Sequence, residues 1–313
     1  MTRTIGAALL VGGLATAGCT PEGEAGALTE EAAFAFVDAE KANPGSPECR
    51  VEGASTPLPV EVRESSGLAQ SRRDPGLFWT HNDAGNEPEI YALNMAGEVV
   101  QRVRVAGATA TDWEDIEAGP CAGGSCLFIG DIGDNDAERS SITIYRVPEP
   151  DPGSEETAPA ELLHARFPDG ARDAEALFVL PSGDLYIVTK GREGPISLYR
   201  YPSPQEASAT GTLELVRELF AEPEDADDRV TGATSTPDGR WVGIRTYRHL
   251  YLYPADALTA GASVEPAKVD LSPLGQDQGE SIAIADDGTV WMTSEAENRD
   301  SEPTWARLRC TFP

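Results

Sequence analysis

The sequence predicts an all-β chain folded as a β-propeller, most simply five four-stranded blades closed by pairing of the N- and C-terminal strands. Three observations predict it. First, 31 Gly and 24 Pro against three Met, with 40% hydrophobic residues, describe a folded, turn-rich chain, neither a helical bundle nor a disordered acidic tail. Second, a phrase of one small or acidic polar residue, one small residue and one apolar residue opens five similar segments. These are Ser66-Gly67-Leu68, Glu114-Asp115-Ile116, Glu175-Ala176-Leu177, Thr231-Gly232-Ala233 and Glu280-Ser281-Ile282, spaced 48, 61, 56 and 49 residues apart. Third, the last segment ends before a fourth strand, while a strand-like run, Leu58-Pro-Val-Glu-Val-Arg63, stands unassigned at the other end of the folded region. Pairing the two would close the ring and remove its exposed edges.

The chain opens with an address. Arg3, a short apolar stretch from Ile5 to Leu14 and small residues before Cys19 form an export signal too short to span a membrane. The run Leu14-Ala15-Thr16-Ala17-Gly18-Cys19 resembles the lipobox of bacterial lipoproteins. That resemblance implies cleavage after residue 18, a lipid on Cys19, and a protein anchored to the bacterial cell envelope through the lipid only; the alternative is a plain secretory signal. Residues 19–48 are polar and Gly-bearing and read as a tether with one short amphipathic helix, leaving 49–313 for the propeller.

Export makes the cysteines readable, since disulfides persist outside the cytoplasm. Cys121-Ala-Gly-Gly-Ser-Cys126 is a tight loop suited to a local bridge, which leaves Cys49 for Cys310. The long loop closed by that second bond corresponds to about 4–5 kcal/mol in the chain-entropy picture. Zinc at Cys121 and Cys126 is the weaker alternative, because no second Cys or His pair follows at zinc spacing.

Within each repeat the opening phrase is followed by two strand-like runs. The first of these are Leu77-Phe-Trp-Thr80, Leu127-Phe-Ile-Gly130, Leu185-Tyr-Ile-Val188, Trp241-Val-Gly-Ile244 and Val290-Trp-Met-Thr293. The next runs share an alternating pattern, as in Ile144-Tyr-Arg-Val147 and Leu198-Tyr-Arg-Tyr201, with turn formers such as Pro237-Asp-Gly239 between hairpin strands. Fourth strands fit around Val99–Val105, Leu162–Phe167, Leu213–Phe220 and Val264–Leu271. A sandwich or barrel is the competing architecture, and a sixth, degenerate blade has room in the interval between Glu114 and Glu175.

Charge directs the functional reading. Lys and Arg number 24 against 53 Asp and Glu, a formal charge of −29 that repels polyphosphate backbones and excludes nucleic acid as a partner. Innermost strands line a propeller's channel, so Ser66, Glu114, Glu175, Thr231 and Glu280 would form one ring. Crowded carboxylates repel unless a cation neutralises them, and oxygen-only ligands in this number suit Ca²⁺. The competing readings are a wet channel with Lys or Arg counter-charges and a register off by one residue.

The ring order, with the segments around Asn82-Asp83-Ala-Gly85 and Phe128-Ile-Gly-Asp-Ile-Gly133, resembles the calcium-activated nucleotidases, the soluble apyrases. The resemblance spans about 250 residues and rests on blade phrases. It implies a five-bladed propeller, an axial calcium ion and hydrolysis of nucleoside di- and triphosphates at the channel mouth, with Asp83 and Asp131 in catalytic roles there. Basic residues for a triphosphate are sparse. The segments Asp112-Trp-Glu-Asp-Ile116 and Gly130-Asp-Ile-Gly-Asp-Asn135 are also similar to those of exported bacterial propeller proteins.

Second-strand ends bring further polar groups toward one mouth: His81 and Asn82 as substrate contacts, with Lys190 and Arg245 to balance substrate charge. Asp131-x-x-Asp134-x-Asp136 lacks the glycine and distal glutamate of an EF-hand loop, and Asp225-Ala-Asp-Asp228 reads as a charged loop. No nucleophile elbow, Walker loop or dinucleotide fingerprint is present. The expected function is therefore a monomeric, calcium-bearing surface module for a small-molecule or surface partner. A calcium-dependent phosphate-ester or nucleotide hydrolase and a five-bladed glycosidase recruiting Glu175, Glu280 and Asp131 are the alternatives.

Overall fold

The computed structural model describes residues 45–207, 209–276, 278–296 and 301–313. The export signal, Cys19 and the tether up to residue 44 lie outside them. Five antiparallel sheets follow one another along the chain. Blade I comprises Ser65–Gln70, Leu77–Asn82, Glu89–Asn94 and Val99–Arg104. Blade II comprises Trp113–Cys121, Gly124–Asp131, Ile142–Pro148 and Glu161–Arg166, and Gly211–Thr212 adds a short parallel edge. Blade III is Ala174–Val179, Leu185–Thr189, Ile196–Arg200 and Glu214–Phe220, and blade IV is Val230–Ser235, Trp241–Thr246, His249–Pro254 and Ala267–Asp270. Blade V takes Gly279–Ile284, Thr289–Ser294 and Thr304–Thr311 from the C-terminal end and Glu48–Val51 from the other, with Thr56–Pro57 beside it on the same strand.

The core is divided as a propeller requires, with one apolar cluster in each seam between neighbouring blades. Trp79 and Trp113 meet between blades I and II, Phe128 and Leu177 between II and III, and Phe178 and Val242 between III and IV. Leu252 and Met292 meet between blades IV and V, while Phe78 packs against Trp291 and Trp305 where the ring closes between V and I. The longer interval between Glu114 and Glu175 holds no sixth sheet. It is taken up by the nine-residue strand Trp113–Cys121, the eight-residue strand Gly124–Asp131 and the loops around them.

Closure by both termini is as expected, but the closing strand is not Leu58–Arg63. Glu48–Val51 pairs with Thr304–Thr311, with Cys49 directly opposite Cys310. Val60–Val62 instead make a single 3₁₀ turn after Pro59, whose ring removes the N–H a ladder would need. Leu58 and Val62 are buried as a plug in the V–I seam. Both expected disulfides are present, Cys49–Cys310 and Cys121–Cys126. The second spans a hairpin turn in which Gly123 and Gly124 adopt φ of 103° and 138°, values that favour glycine. Two disulfides suit an oxidising, exported location. No helix among the described residues is long and apolar enough to cross a membrane.

Candidate metal centre at the channel mouth

The five inner strands share one irregularity. In every blade the pairing between first and second strands slips by one residue, and the extra residue falls at the opening phrase. Ser66, Glu114, Glu175, Thr231 and Glu280 all lie in these β-bulges. A bulge leaves one residue out of the ladder and re-aims its side chain, so the fivefold phrase is the sequence trace of a fivefold bulge. All five residues are buried.

The register defines two more positions per blade around this tier. Just after the second strand come Asp83, Ile132, Lys190, Tyr247 and Glu295 in blades I to V. Facing them, two residues before the first unpaired bulge residue, are Glu64, Asp112, Asp173, Arg229 and Gln278. Backbone bonds join these positions in pairs: Asp83 N–H donates to the Glu64 carbonyl (2.9 Å), Ile132 to Asp112 (3.1 Å), Lys190 to Asp173 (3.0 Å) and Glu295 to Gln278 (2.9 Å).

One carboxylate from each position meets between blades I and II. Oxygens of Asp83, Asp112 and Glu114 lie within 4.8 Å of one another. Blade II makes room for them, since Ile132 turns into the core and Gly133 follows, where a Cβ would collide with Glu114 Oε1 and Asp112 Oδ2. Burial pushes the Glu114 carboxyl well above its usual range, with Glu175, Asp83 and Asp112 adding repulsion. Asp112 is raised to about 6 by burial and by Asp83 and Asp173, and Asp83 is raised by burial. None of the three makes an ion pair among the described residues. Converging hard oxygen donors with no cation of their own fit a divalent metal such as calcium.

The remaining ring residues are placed differently. Lys190 Nζ forms a buried ion pair with Glu175 Oε1. Burial works against the ammonium, but Glu175, Tyr247 and Glu114 outweigh it and hold its pKa well above the usual value. Burial lifts Glu175 to about 7 despite that partner. Ser66 Oγ donates to the Glu114 carbonyl (2.9 Å), and Thr231 Oγ1 to the carbonyls of Gly279 and Glu280 (2.9 and 3.0 Å). Glu280 has no such partner: its Oε2 is buried without a hydrogen bond, and burial followed by Glu175 raises the carboxyl to about 8. Glu295 rises to about 9 through burial and the charge of Glu280.

The other residues singled out from the sequence serve the scaffold in this structure. Asp131 pairs with Arg139 at 2.7 Å and accepts the N–H groups of Thr111 and Asp112 at 3.3 Å, so it positions Asp112. Asn82 accepts from Glu64 N–H and donates to the Glu61 carbonyl, tying the start of the inner strand to the end of the second. His81 is fully buried edge-on to Trp113, and burial lowers its pKa to about 4, so the ring is neutral. Arg245 is also fully buried; Nη1 donates to the carbonyls of Ser281 and Thr293, and Nη2 to Gln276 Oε1.

Sequence reasoning missed Asp112, Gly133 and a pair of acids deeper in the channel. Asp115 Oδ2 accepts N–H groups from Leu177 in blade III (2.9 Å) and Ala233 in blade IV (3.1 Å), while Oδ1 accepts from Ile116. Glu117 reaches blade IV in the same way, accepting from Thr234 Oγ1 (2.8 Å) and Ser235 N–H (3.3 Å). These two side chains are rungs across the channel. Below them a polar cavity of about 230 Å³ opens among Arg72, Glu117, Thr234 and Asp286.

No protein-family model and no curated protein sequence matches the chain. Among solved structures, the PQQ-bound aldose sugar dehydrogenase of Streptomyces coelicolor is similar at a TM-score of 0.52 and 12% identity, covering 86% of this chain and 100% of that one. The likeness establishes the fold alone. A calcium-binding regucalcin from Agrobacterium tumefaciens strain C58 aligns at a TM-score of 0.43 and 15% identity, over 84% of this chain and 96% of that chain. A streptogramin B lyase aligns at 0.43 and 11%, over 85% and 98%. Of the resemblance to the calcium-activated nucleotidases, the coarser half, five blades around a channel, is what the structure has.

Proposed function

We propose that this is an exported, lipid-anchored binding module that holds one calcium ion at the mouth of its channel and presents that mouth to a small-molecule or surface partner. The observation that carries it is the meeting of Asp83, Asp112 and Glu114 over Gly133, three buried or half-buried carboxylates brought together with no basic side chain in ion-pair contact among the described residues. In this reading the ion lies off the axis, toward blades I and II. Glu175, already neutralised by Lys190, and the hydroxyls of Ser66 and Thr231, turned to neighbouring carbonyls, line the ring beside it.

A calcium-dependent phosphate-ester hydrolase is the second reading, favoured by Asp112. This residue is a half-buried carboxylate at the edge of the cluster, placed to orient a water beside the ion and accept its proton. Against it, Lys190 and Arg245, the cations a phosphate would need, are committed to Glu175 and to backbone carbonyls.

Calorimetric titration with calcium tests both. The chain is expected to bind about one ion, with affinity falling at least about 100-fold in Asp112→Asn/Glu114→Gln and in Gly133→Ala, whose methyl fills the cradle. Calcium binding undiminished in both variants would remove the site. Calcium-dependent phosphate release from a panel of nucleotides and phosphodiesters, lost in Asp112→Asn, would replace the module with the hydrolase.

A further inference from the structure

The blades can be compared position by position, and blade III shows what a bulge glutamate does with an ammonium group. There Glu175 in the bulge receives Lys190, the residue that follows the second strand of the same blade. Both are buried and the pair is closed within the blade. Blade V repeats the acceptor without the donor. Glu280 occupies the same bulge, and the residue after the second strand is Glu295. Two acids therefore stand where blade III has an acid and a base.

Among the described residues no hydrogen-bond donor takes that place, although Lys190 and Arg245 act on Glu280 through their charge. Glu280 is 4% exposed and its Oε2 lacks a hydrogen bond. Arg245 on blade IV attracts Glu280 by charge, but its Nη1 and Nη2 are committed to two carbonyls and to Gln276, its Nε is buried without a hydrogen bond, and no ion pair joins it to Glu280 among the described residues. Tyr247, half-buried at the matching exit of blade IV, faces the same charges, Glu280 first and then Lys190, Glu175 and Glu295. A divalent ion is poorly served here, because it needs more converging oxygens than two carboxylates supply; the three-carboxylate cluster is made by blades I and II, and only the charge of Asp83 reaches Glu280 and Glu295. A buried carboxylate oxygen without a donor calls for an N–H group.

We propose that the blade IV–V side of the mouth binds a primary ammonium group, with Glu280 as its acceptor and Glu295 and Tyr247 flanking it, reproducing between molecules the contact that Lys190 makes within blade III. The group can be a free alkylamine or the side chain of a lysine on a partner; both present the same three N–H donors. This site uses none of the three carboxylates of the calcium cluster, although Asp83 adds its charge at Glu280 and Glu295.

Calorimetry with n-butylammonium, Nα-acetyl-lysine amide and tetramethylammonium, each in calcium and in chelator, tests the assignment on the full exported chain. Saturable binding of a primary amine is expected, with tetramethylammonium, which has no N–H donor, at least about tenfold weaker. Binding of both primary amines points to the ammonium group alone, and binding of the lysine derivative only points to a partner's lysine. Glu280→Gln is expected to weaken binding about tenfold or more. Glu295→Lys supplies the missing donor from within, so it is expected to abolish amine binding and raise the melting temperature, which keeps the test decisive if Glu280→Gln folds poorly. Asp112→Asn is expected to lose calcium and keep the amine. Failure of any primary amine to saturate, equal binding of tetramethylammonium, or undiminished amine binding in Glu295→Lys would overturn the proposal.

Discussion

Glu114 and Asp115 are neighbours on one strand, and both are buried, yet they have opposite surroundings. Asp115 is met by N–H groups from three strands, its own and those of blades III and IV, so its charge is solvated by the backbone. Glu114 faces Asp83, Asp112 and Glu175, and the charge of Lys190, itself paired with Glu175, relieves that repulsion only in part. The bulge separates them: the unpaired residue points to the mouth, and the next one, back in register, crosses the channel. A buried acid is therefore not in itself a functional sign. What distinguishes the two is whether the fold has already supplied the donors.

Asp115→Ala would break this comparison most sharply. It strands N–H groups in two blades at about 1–3 kcal/mol each, so an unfolding free energy lower by about 2–6 kcal/mol is expected in urea titration. Calcium affinity should stay unchanged. A loss under about 1 kcal/mol would mean the rung is dispensable.

Next in size is the pH dependence of the metal-free protein. Asp112, Glu175, Glu280 and Glu295 have folded values of about 6, 7, 8 and 9, all above their ordinary ones. Groups raised in this way stabilise the fold below their unfolded values, and that contribution disappears as pH rises through the folded values. The melting temperature in chelator should fall steadily between about pH 5 and about pH 9, and calcium should restore part of it at the alkaline end. His81 acts on the other side: with a folded value of about 4, its stabilisation is present above its ordinary pKa of 6.5 and is lost as pH falls through 4. A melting temperature flat across the alkaline range would contradict the crowding of acids at the mouth.

The smallest effect is expected from Glu117→Gln, about 1 kcal/mol near pH 5, because glutamine resembles the protonated acid and keeps one acceptor. Burial raises Glu117 to about 7, so the cost should shrink as pH passes that value, where only the wild type must give up a proton. Chemical denaturation of both proteins at two pH values measures it.

The five inner strands were legible because each opens on a bulge, which favours a small residue beside the re-aimed one: Gly67, Ala176, Gly232 and Ser281 beside their polar partners. Blade II puts Asp115 at that place, and its use as a rung was hidden because the donors, Leu177 and Ala233, belong to other blades. Asp112 was hidden for the same reason, since it becomes a candidate ligand only when blade I brings Asp83 across the seam. The available signal was Ile132-Gly133, an apolar residue at the exit position where other blades carry Asp83, Lys190 or Glu295, followed by a glycine. The closing strand misled because Leu58–Arg63 alternates better than Glu48–Val51. Pro59 argued against the former, and Cys49 was the mark of the latter.

The bridge between Cys49 and Cys310 joins positions 261 apart in sequence, on strands that lie side by side. In topological terms the propeller from Cys49 to Cys310 is a covalent circle, and no blade in it is first or last. A pull on the chain ahead of Glu48 passes through the sulfurs into Thr304–Thr311 instead of peeling the edge strand away. Joining Glu48 to Thr311, which lie opposite each other, with a short linker and cutting a surface turn elsewhere, a circular permutation, would leave the same ring of bulges facing the same mouth.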